Sequence, residues 1–367
     1  MRIQQLIIYP ILGFLLVCSQ TLLAQKYSNE FLSIGVSARA QAMGNAVVAS
    51  TNDVTSGYWN PAGLAFLSKN AGLQIGAMHA EWFAGVGKFD YVGMAMPSSN
   101  GRSRFGLTFI RFGIDNIPNT LSLFEDDGTI NYDNISEFSA ADYAFMLNYG
   151  REIDTEGIGR LAVGGNVKII RRLIGSFADS WGFGLDLSLQ YRLKNWRMGL
   201  LARDVTTTFN AWNFQFTSSE IETLFRTGND VPISSTEITR PQLILGIGHQ
   251  FQFGDIRVTP EFNAVATTDG RRNTLISAEP ISIDPSMGVE VKYNELIALR
   301  AGINQFQQLS DLDRSDYWTA RPSLGVGLKL SNLAIDYAFT DIGDSRNTYS
   351  HIVSLLLELK PRAKRDE

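Results

Sequence analysis

Cysteine is nearly absent: of 367 residues only Cys18 carries a thiol. It lies inside an amino-terminal segment with the marks of an export signal, so the exported chain has no disulfide and no thiolate metal site. Histidine is scarce too, and His79, His249 and His351 are scattered, with no neighbouring cysteine or carboxylate pattern for a metal or nucleophile constellation. No GxSxG elbow occurs, and glycine pairs such as Gly325 and Gly327 sit inside strand pattern rather than ahead of a helix. The run DLDRSD, Asp311 to Asp316, lacks the glycine and bidentate glutamate of a calcium loop. These absences argue against an enzyme and against a bound cofactor or metal. An excess of positive charge is also missing, since 37 Asp and Glu outnumber 32 Lys and Arg. A nucleic-acid binder would carry a basic face. Finally, no proline-rich or Ser/Gly linker divides the chain, so one large domain is expected, although length alone would suggest two at roughly 150 residues each.

What is present begins with targeting. Arg2, the apolar run LIIYPILGFLLV from Leu6 to Val17, and Ala24 before Gln25 form a signal peptide over 1–24. The run is too short, and too interrupted by Pro10, to cross a bilayer as a helix. Val17 stands where a lipoprotein signal needs a small residue before its cysteine, which argues against lipidation.

From Ala71 onward apolar and polar residues alternate, the mark of strands with two different faces. In GFGLDLSLQYR, Phe183, Leu185, Leu187, Leu189 and Tyr191 share one face, and Asp186, Ser188, Gln190 and Arg192 the other. Strands are expected near 71–83, 87–97, 103–114, 140–151, 158–172, 180–192, 195–204, 240–253, 255–266, 285–294, 296–305, 319–330, 332–341 and 347–360. The connections after even-numbered strands are tight (SSNG, DTEG, KN, GD, NE, SN), and the long ones, 115–139, 205–239, 267–284 and 306–318, follow odd-numbered strands. Short turns at one end and long loops at the other are the habit of antiparallel transmembrane β-barrels in the outer membrane of Gram-negative bacteria. Such a barrel has outer-membrane lipid as its surroundings and a closed sheet with no exposed edge. Trp82, Tyr91, Trp181, Trp196, Phe251, Phe253, Tyr293 and Trp318 fall near strand ends, where an interfacial girdle would place them.

With the apolar faces toward lipid, the lumen receives Arg160, Lys168, Arg172, Arg192, Arg197, Arg203, Arg257, Lys292, Arg300, Arg321 and Lys329 against Asp186, Glu261, Glu290 and Asp336. Such a lumen either attracts an anion or an acidic segment, or is a wall of charges paired across strands; the sequence leaves both open. The loop near 205–239 carries Phe209, Trp212, Phe214, Phe216 and Phe225, which would suit capture of a protein partner or fold inward as a cap. Loop 115–139 holds Asp115, Glu125, Asp126, Asp127, Asp133 and Glu137 without Lys or Arg, a solvated acidic loop or a site for calcium or a basic partner.

The segment 25–70 precedes the first strand and is rich in small residues. A short helix from about Ser37 to Val48 is expected to lie against an inner wall, with Asn60 capping the next turn, Pro61 fixing its backbone and Gly63 allowing a tight bend. The segment therefore reads as a plug, followed by a barrel over 71–360 and a basic tail, 361–367. Its sequence SARAQAMGNAVVASTNDVTSGYWNPAGLAFL resembles the amino-terminal signature of FadL-like outer-membrane proteins, most closely the PorV/PorQ branch of Bacteroidota, through Ala38, Arg39, Met43, Gly44, Ala46, Asp53, Trp59, Asn60, Pro61, Ala62 and Gly63. That superfamily implies a fourteen-stranded barrel with an amino-terminal hatch. The PorV-like resemblance implies a component of type IX secretion that binds cargo carboxy-terminal domains or secretion-machinery proteins. The wider FadL-like one implies transport of hydrophobic small molecules such as long-chain fatty acids. The ending KPRAKRDE departs from the terminal aromatic usual in outer-membrane barrels.

Overall fold

The computed structural model describes residues 28–68, 72–82, 85–98, 101–125, 127–310, 315–341 and 349–359. The expected signal peptide, Asp126, residues 311–314 of the DLDRSD run and the basic tail lie outside them. The alternating segments form a closed antiparallel barrel of fourteen strands. They are β1 (Leu73–Trp82), β2 (Gly87–Pro97), β3 (Ser103–Asn119), β4 (Ser136–Ile153), β5 (Arg160–Ile174) and β6 (Ala178–Leu193). Next come β7 (Trp196–Arg203, continued by Thr208–Phe214) and β8 (Ser235–Thr239, continued by Gln242–His249 and Phe251–Phe253). The last six are β9 (Ile256–Thr267), β10 (Ser282–Tyr293), β11 (Ile297–Ser310), β12 (Asp316–Leu330), β13 (Leu333–Asp341) and β14 (Tyr349–Leu359). Closure comes from β1 on β14, with Leu73 opposite Leu359 and Ala80 opposite Ile352.

The period-two pattern sorts side chains as expected. On β6, Leu187 is 59% exposed on the outside while its neighbours Asp186 and Ser188 are buried within. Because the outer face meets lipid rather than water, Leu187→Arg near mid-strand is expected to destabilise the barrel by about 2–4 kcal/mol, read as a shift in reversible urea unfolding in lipid vesicles. A change near zero would mean that this face does not meet hydrocarbon.

Several local expectations are corrected. β7 does not end at 204, nor does β8 begin at 240: both run on into the expected loop, pairing Thr208–Trp212 with Ser235–Thr239. The alternation hid this because β7 is bent where Asp204 and Thr207 take positive φ of 56° and 61°, and β8 is interrupted at Pro241, which has no N–H to give to a ladder. β3 and β4 likewise extend to Asn119 and from Ser136, shortening the acidic loop. The aromatic girdle is only partly as expected. Trp181, Trp196, Phe251, Phe253, Tyr293 and Trp318 are exposed on the outside, but Trp82 and Tyr91 turn inward and are buried.

Candidate functional site in the plugged lumen

The hatch runs from Ser28 near the long-loop end to Ser68 near the short-turn end. It contains a 3-10 turn (Glu30–Ser33), α1 (Ala38–Ala42), α2 (Ser56–Trp59) and a second 3-10 turn (Pro61–Phe66). α1 is shorter than the expected 37–48 because Gly44 and Asn45 adopt positive φ of 61° and 63° and turn the chain. Ser37 caps it, its hydroxyl accepting from Ala40 N. Pro61 opens its 3-10 turn as expected, but Asn60 makes no cap. Asn60 Nδ2 instead donates to Val48 O at 2.9 Å and to Leu189 O at 3.0 Å, tying the hatch to itself and to β6. Nor does Gly63 serve a bend: a side chain there would collide with Thr51 O at 2.6 Å.

Two features of the wall seat this chain. The first is a belt of inward glycines. A Cβ on Gly150 or Gly164 would overlap Pro61 or Ala62, one on Gly199 Val48, and one on Gly288 or Gly302 the backbone of Met43 or Gly44. On Gly325 it would meet the Ala42 side chain. Small residues in the hatch face missing side chains in the wall, so backbone approaches backbone. The second is a collar of neutral polar side chains. Irregular buried backbone needs hydrogen-bond partners. Asn148 and Asn166 both donate to Gly57 O (3.0 and 2.9 Å), and Gln190 donates to Ala49 O and Thr51 O (2.8 and 2.9 Å). Ser188, Gln74 and Ser354 accept from Ala62 N, Val54 N and Ala38 N. Between these contacts Val36, Met43, Val47, Tyr58 and Trp59 pack against Phe89, Ile110, Ile170, Leu201 and Ile352, so the hatch is the hydrophobic core of the barrel.

Charge adds two anchors. Arg39 Nε lies 3.0 Å from Glu290 Oε2, a carboxylate shared with Arg300 (2.7 Å) and Lys292 (3.2 Å), and Arg300 also reaches Asp336 at 2.7 Å. Burial alone would lower the Arg39 pKa, but Glu290 and then Asp53 more than offset it, and the group stays a cation. Lys168, 1% exposed, bridges Asp186 at 2.8 Å and Asp204, holding the bend of β7 to β5 and β6. Arg203 follows from that bend, donating to Leu32 O at 3.3 Å and lying over the Tyr58 ring.

The expected basic lumen is therefore largely paired. Besides Lys168 and Arg300, Arg160 forks onto Glu152 (2.6 and 2.9 Å), Arg172 meets Asp142 and Glu237, and Arg257 meets Glu295. Arg321 lines an outer cavity, and Arg192, Arg197 and Lys329 line an inner one. Of the hatch signature, Asp53 accepts from Thr55 N, and Trp59 Nε1 donates to Val36 O at 2.9 Å. The expected aromatic loop does not gather as one patch. Phe209, Trp212 and Phe214 are wall residues of β7, with Trp212 buried, and Phe216 stacks on Phe177 and Phe214. Phe216 lies just past the strand end, and Phe225 sits farther out in the loop, on α3 (Ser218–Arg226), where it is 67% exposed. In the acidic loop Asp115 belongs to β3 and pairs with Lys88 at 2.9 Å, and no group of three metal-ligating side chains forms among the described residues.

The hatch divides the lumen into chambers. An outer chamber of about 380 Å³ is lined by Val48, Tyr58, Trp59, Ile244 and Val265 and by Arg203, Asn45, Asn263 and Asp284. Arg203 Nη2, Asn45 Oδ1, Asn263 Oδ1 and Asp284 Oδ1 are buried without a hydrogen-bond partner among the described residues. A smaller space of about 210 Å³ adjoins it beside Trp82 and Arg321. The inner chamber, about 410 Å³, opens at the short-turn end and is mostly polar, with many charged side chains. The outer chamber was not legible in the sequence. Tyr58 and Val48 sit within the hatch signature, but Ile244 and Val265 were read only as strand positions.

No family model and no curated protein matches the sequence. Solved structures do match in fold. The CymD monoaromatic hydrocarbon channel has a TM-score of 0.53 at 14% identity, covering 92% of this chain and 100% of that one. The Pseudomonas putida toluene transporter TodX has a TM-score of 0.54 at 14% identity, covering 91% and 99%. A Pseudomonas aeruginosa FadL homologue has 0.52 at 13% identity, covering 89% and 98%. The chain thus has the fold of FadL-like outer-membrane channels along nearly its whole length.

Proposed function

We propose that this barrel takes up a small hydrophobic or amphipathic molecule from the outer face of the membrane. The observation that supports this most is the outer chamber, in which an apolar and aromatic floor meets four buried polar atoms that lack partners among the described residues. Its volume is within the range of small-molecule sites, about 300–1,000 Å³. Tyr58, Trp59, Val48, Ile244 and Val265 would cover a hydrocarbon or aromatic body, and Arg203 Nη2 would meet an acceptor head group. Onward passage requires the hatch to yield. Ser28–Val36 is the part to move, since it precedes the residues seated on wall glycines and borders both outer spaces. The fold shared with hydrocarbon channels agrees with this reading.

A second reading is docking of a protein at the cell surface, in the manner of the PorV-like secretion component that the hatch signature resembles. It is favoured by Phe225 on α3 and by Ile233, which is 79% exposed beyond it. Titration of the purified barrel with toluene and with dodecanoate, followed by tryptophan fluorescence, separates the two. Saturable binding is expected, and Ile244→Trp, which fills the chamber, should weaken it at least about tenfold, or 1.4 kcal/mol. No saturation with either compound, together with secretion-machinery proteins retained on gentle extraction and released by replacing 218–229 with a Gly/Ser linker, would put the docking reading in its place.

A further inference from the structure

The inner chamber carries a cationic pair that the wall does not neutralise. Arg192 on β6 and Arg197 on β7 are direct cross-strand partners. Like charges placed opposite one another destabilise a sheet pair, so their juxtaposition needs a reason. Among the described residues neither reaches a carboxylate. Arg192 Nη2 donates to Gln190 Oε1 at 3.4 Å, its Nε is buried with no partner, and its guanidinium lies 4.0 Å from the centre of the Phe66 ring. Arg197 donates to Lys194 O, Trp196 O and Gln250 Oε1. The nearby acids are engaged elsewhere: Glu152 by the fork of Arg160, Glu295 by Arg257, and Glu290 by Arg39, Lys292 and Arg300. Among the described residues the chamber is lined by seven Arg and Lys side chains against five Asp and Glu.

We infer that Arg192 and Arg197 form a binding site for a doubly charged oxyanion of the phosphate type, open to the short-turn, periplasmic end. Two planar guanidiniums present parallel N–H groups that match such an anion, and its two charges balance the two that the wall leaves over. Because Arg192 stacks on Phe66 of the hatch, occupancy is felt by the plug. The site lies across the hatch from the outer chamber and does not depend on what that chamber binds. The same chemistry is offered by free phosphate and by a lipid head group that ends in a phosphomonoester.

Isothermal titration of inorganic phosphate into the purified barrel in chloride buffer tests the site, alongside native mass spectrometry of protein extracted gently from its own membrane. Saturable phosphate binding, weakened at least tenfold in Arg192→Gln/Arg197→Gln and by less in Arg192→Lys/Arg197→Lys, which keeps both charges but not the planar forks, identifies a soluble anion. A retained lipid with a phosphomonoester head group that is lost from the glutamine variant and held more weakly by the lysine variant identifies a head group. Heat-modifiable migration on a gel verifies that each variant is folded. Absence of both ligands from the wild type, or equal binding by the folded glutamine variant, overturns the proposal.

Discussion

Gly302→Val is expected to unseat the hatch. A Cβ at this position would overlap the backbone of Met43 and Gly44, which cannot step aside as a flexible side chain would. Overpacking costs typically about 1–3 kcal/mol, and a clash with backbone belongs at the upper end, so a loss of about 3 kcal/mol is expected. Two measurements read it: the midpoint of urea unfolding in lipid vesicles, and protease cleavage within 28–68, which the wild-type barrel should resist. Unchanged stability with a protected hatch would mean that the seating seen along β11 is looser than its geometry implies.

Lys168→Met is the second large effect. The substitution leaves Asp186 and Asp204 buried together with their shared cation gone, and removing one partner of a buried ion pair costs about 3–5 kcal/mol. Asp204 also accepts from Thr208, so the bend of β7 loses its fastening and Arg203 its position beneath the outer chamber. The triple variant Lys168→Met/Asp186→Asn/Asp204→Asn should recover part of the stability, because neither aspartate is then left charged without the lysine, while Arg203 loses the carboxylates it faces. Equal destabilisation in the single and triple variants would show that packing of the lysine stem, not its charge, is what matters.

The barrel was legible because its signals repeat. Fourteen alternating segments and the parity of turn lengths carry the same message many times over, and a misplaced boundary such as that of β7 changes nothing in the count. The lumen was legible only in part. Which side chains face inward follows from period two, so Lys168, Arg192 and Arg300 were found. Which of them find partners depends on neighbours from strands distant in sequence, such as Asp204 for Lys168 or Asp336 for Arg300. The aromatic cluster at 209–214 misled for a related reason: the bend at 204–207 breaks the alternation, and wall looks like loop. The polar collar went unremarked because Asn148, Asn166 and Gln190 are ordinary lumen residues until an irregular backbone runs past them.

The glycine belt bears on how the molecule is assembled. The gap between hatch and wall is narrower than a methyl group on several strands around the circumference, and Ala38 N is held by Ser354 on the very strand that closes the sheet against β1. A segment so fitted cannot be threaded into a finished cylinder. It has to be in place while the sheet is still open, acting as a mandrel on which the strands are wound, and the final zippering of β14 to β1 locks it in. The amino-terminal position of the hatch, ahead of all fourteen strands, makes it the first part of the barrel to emerge in synthesis.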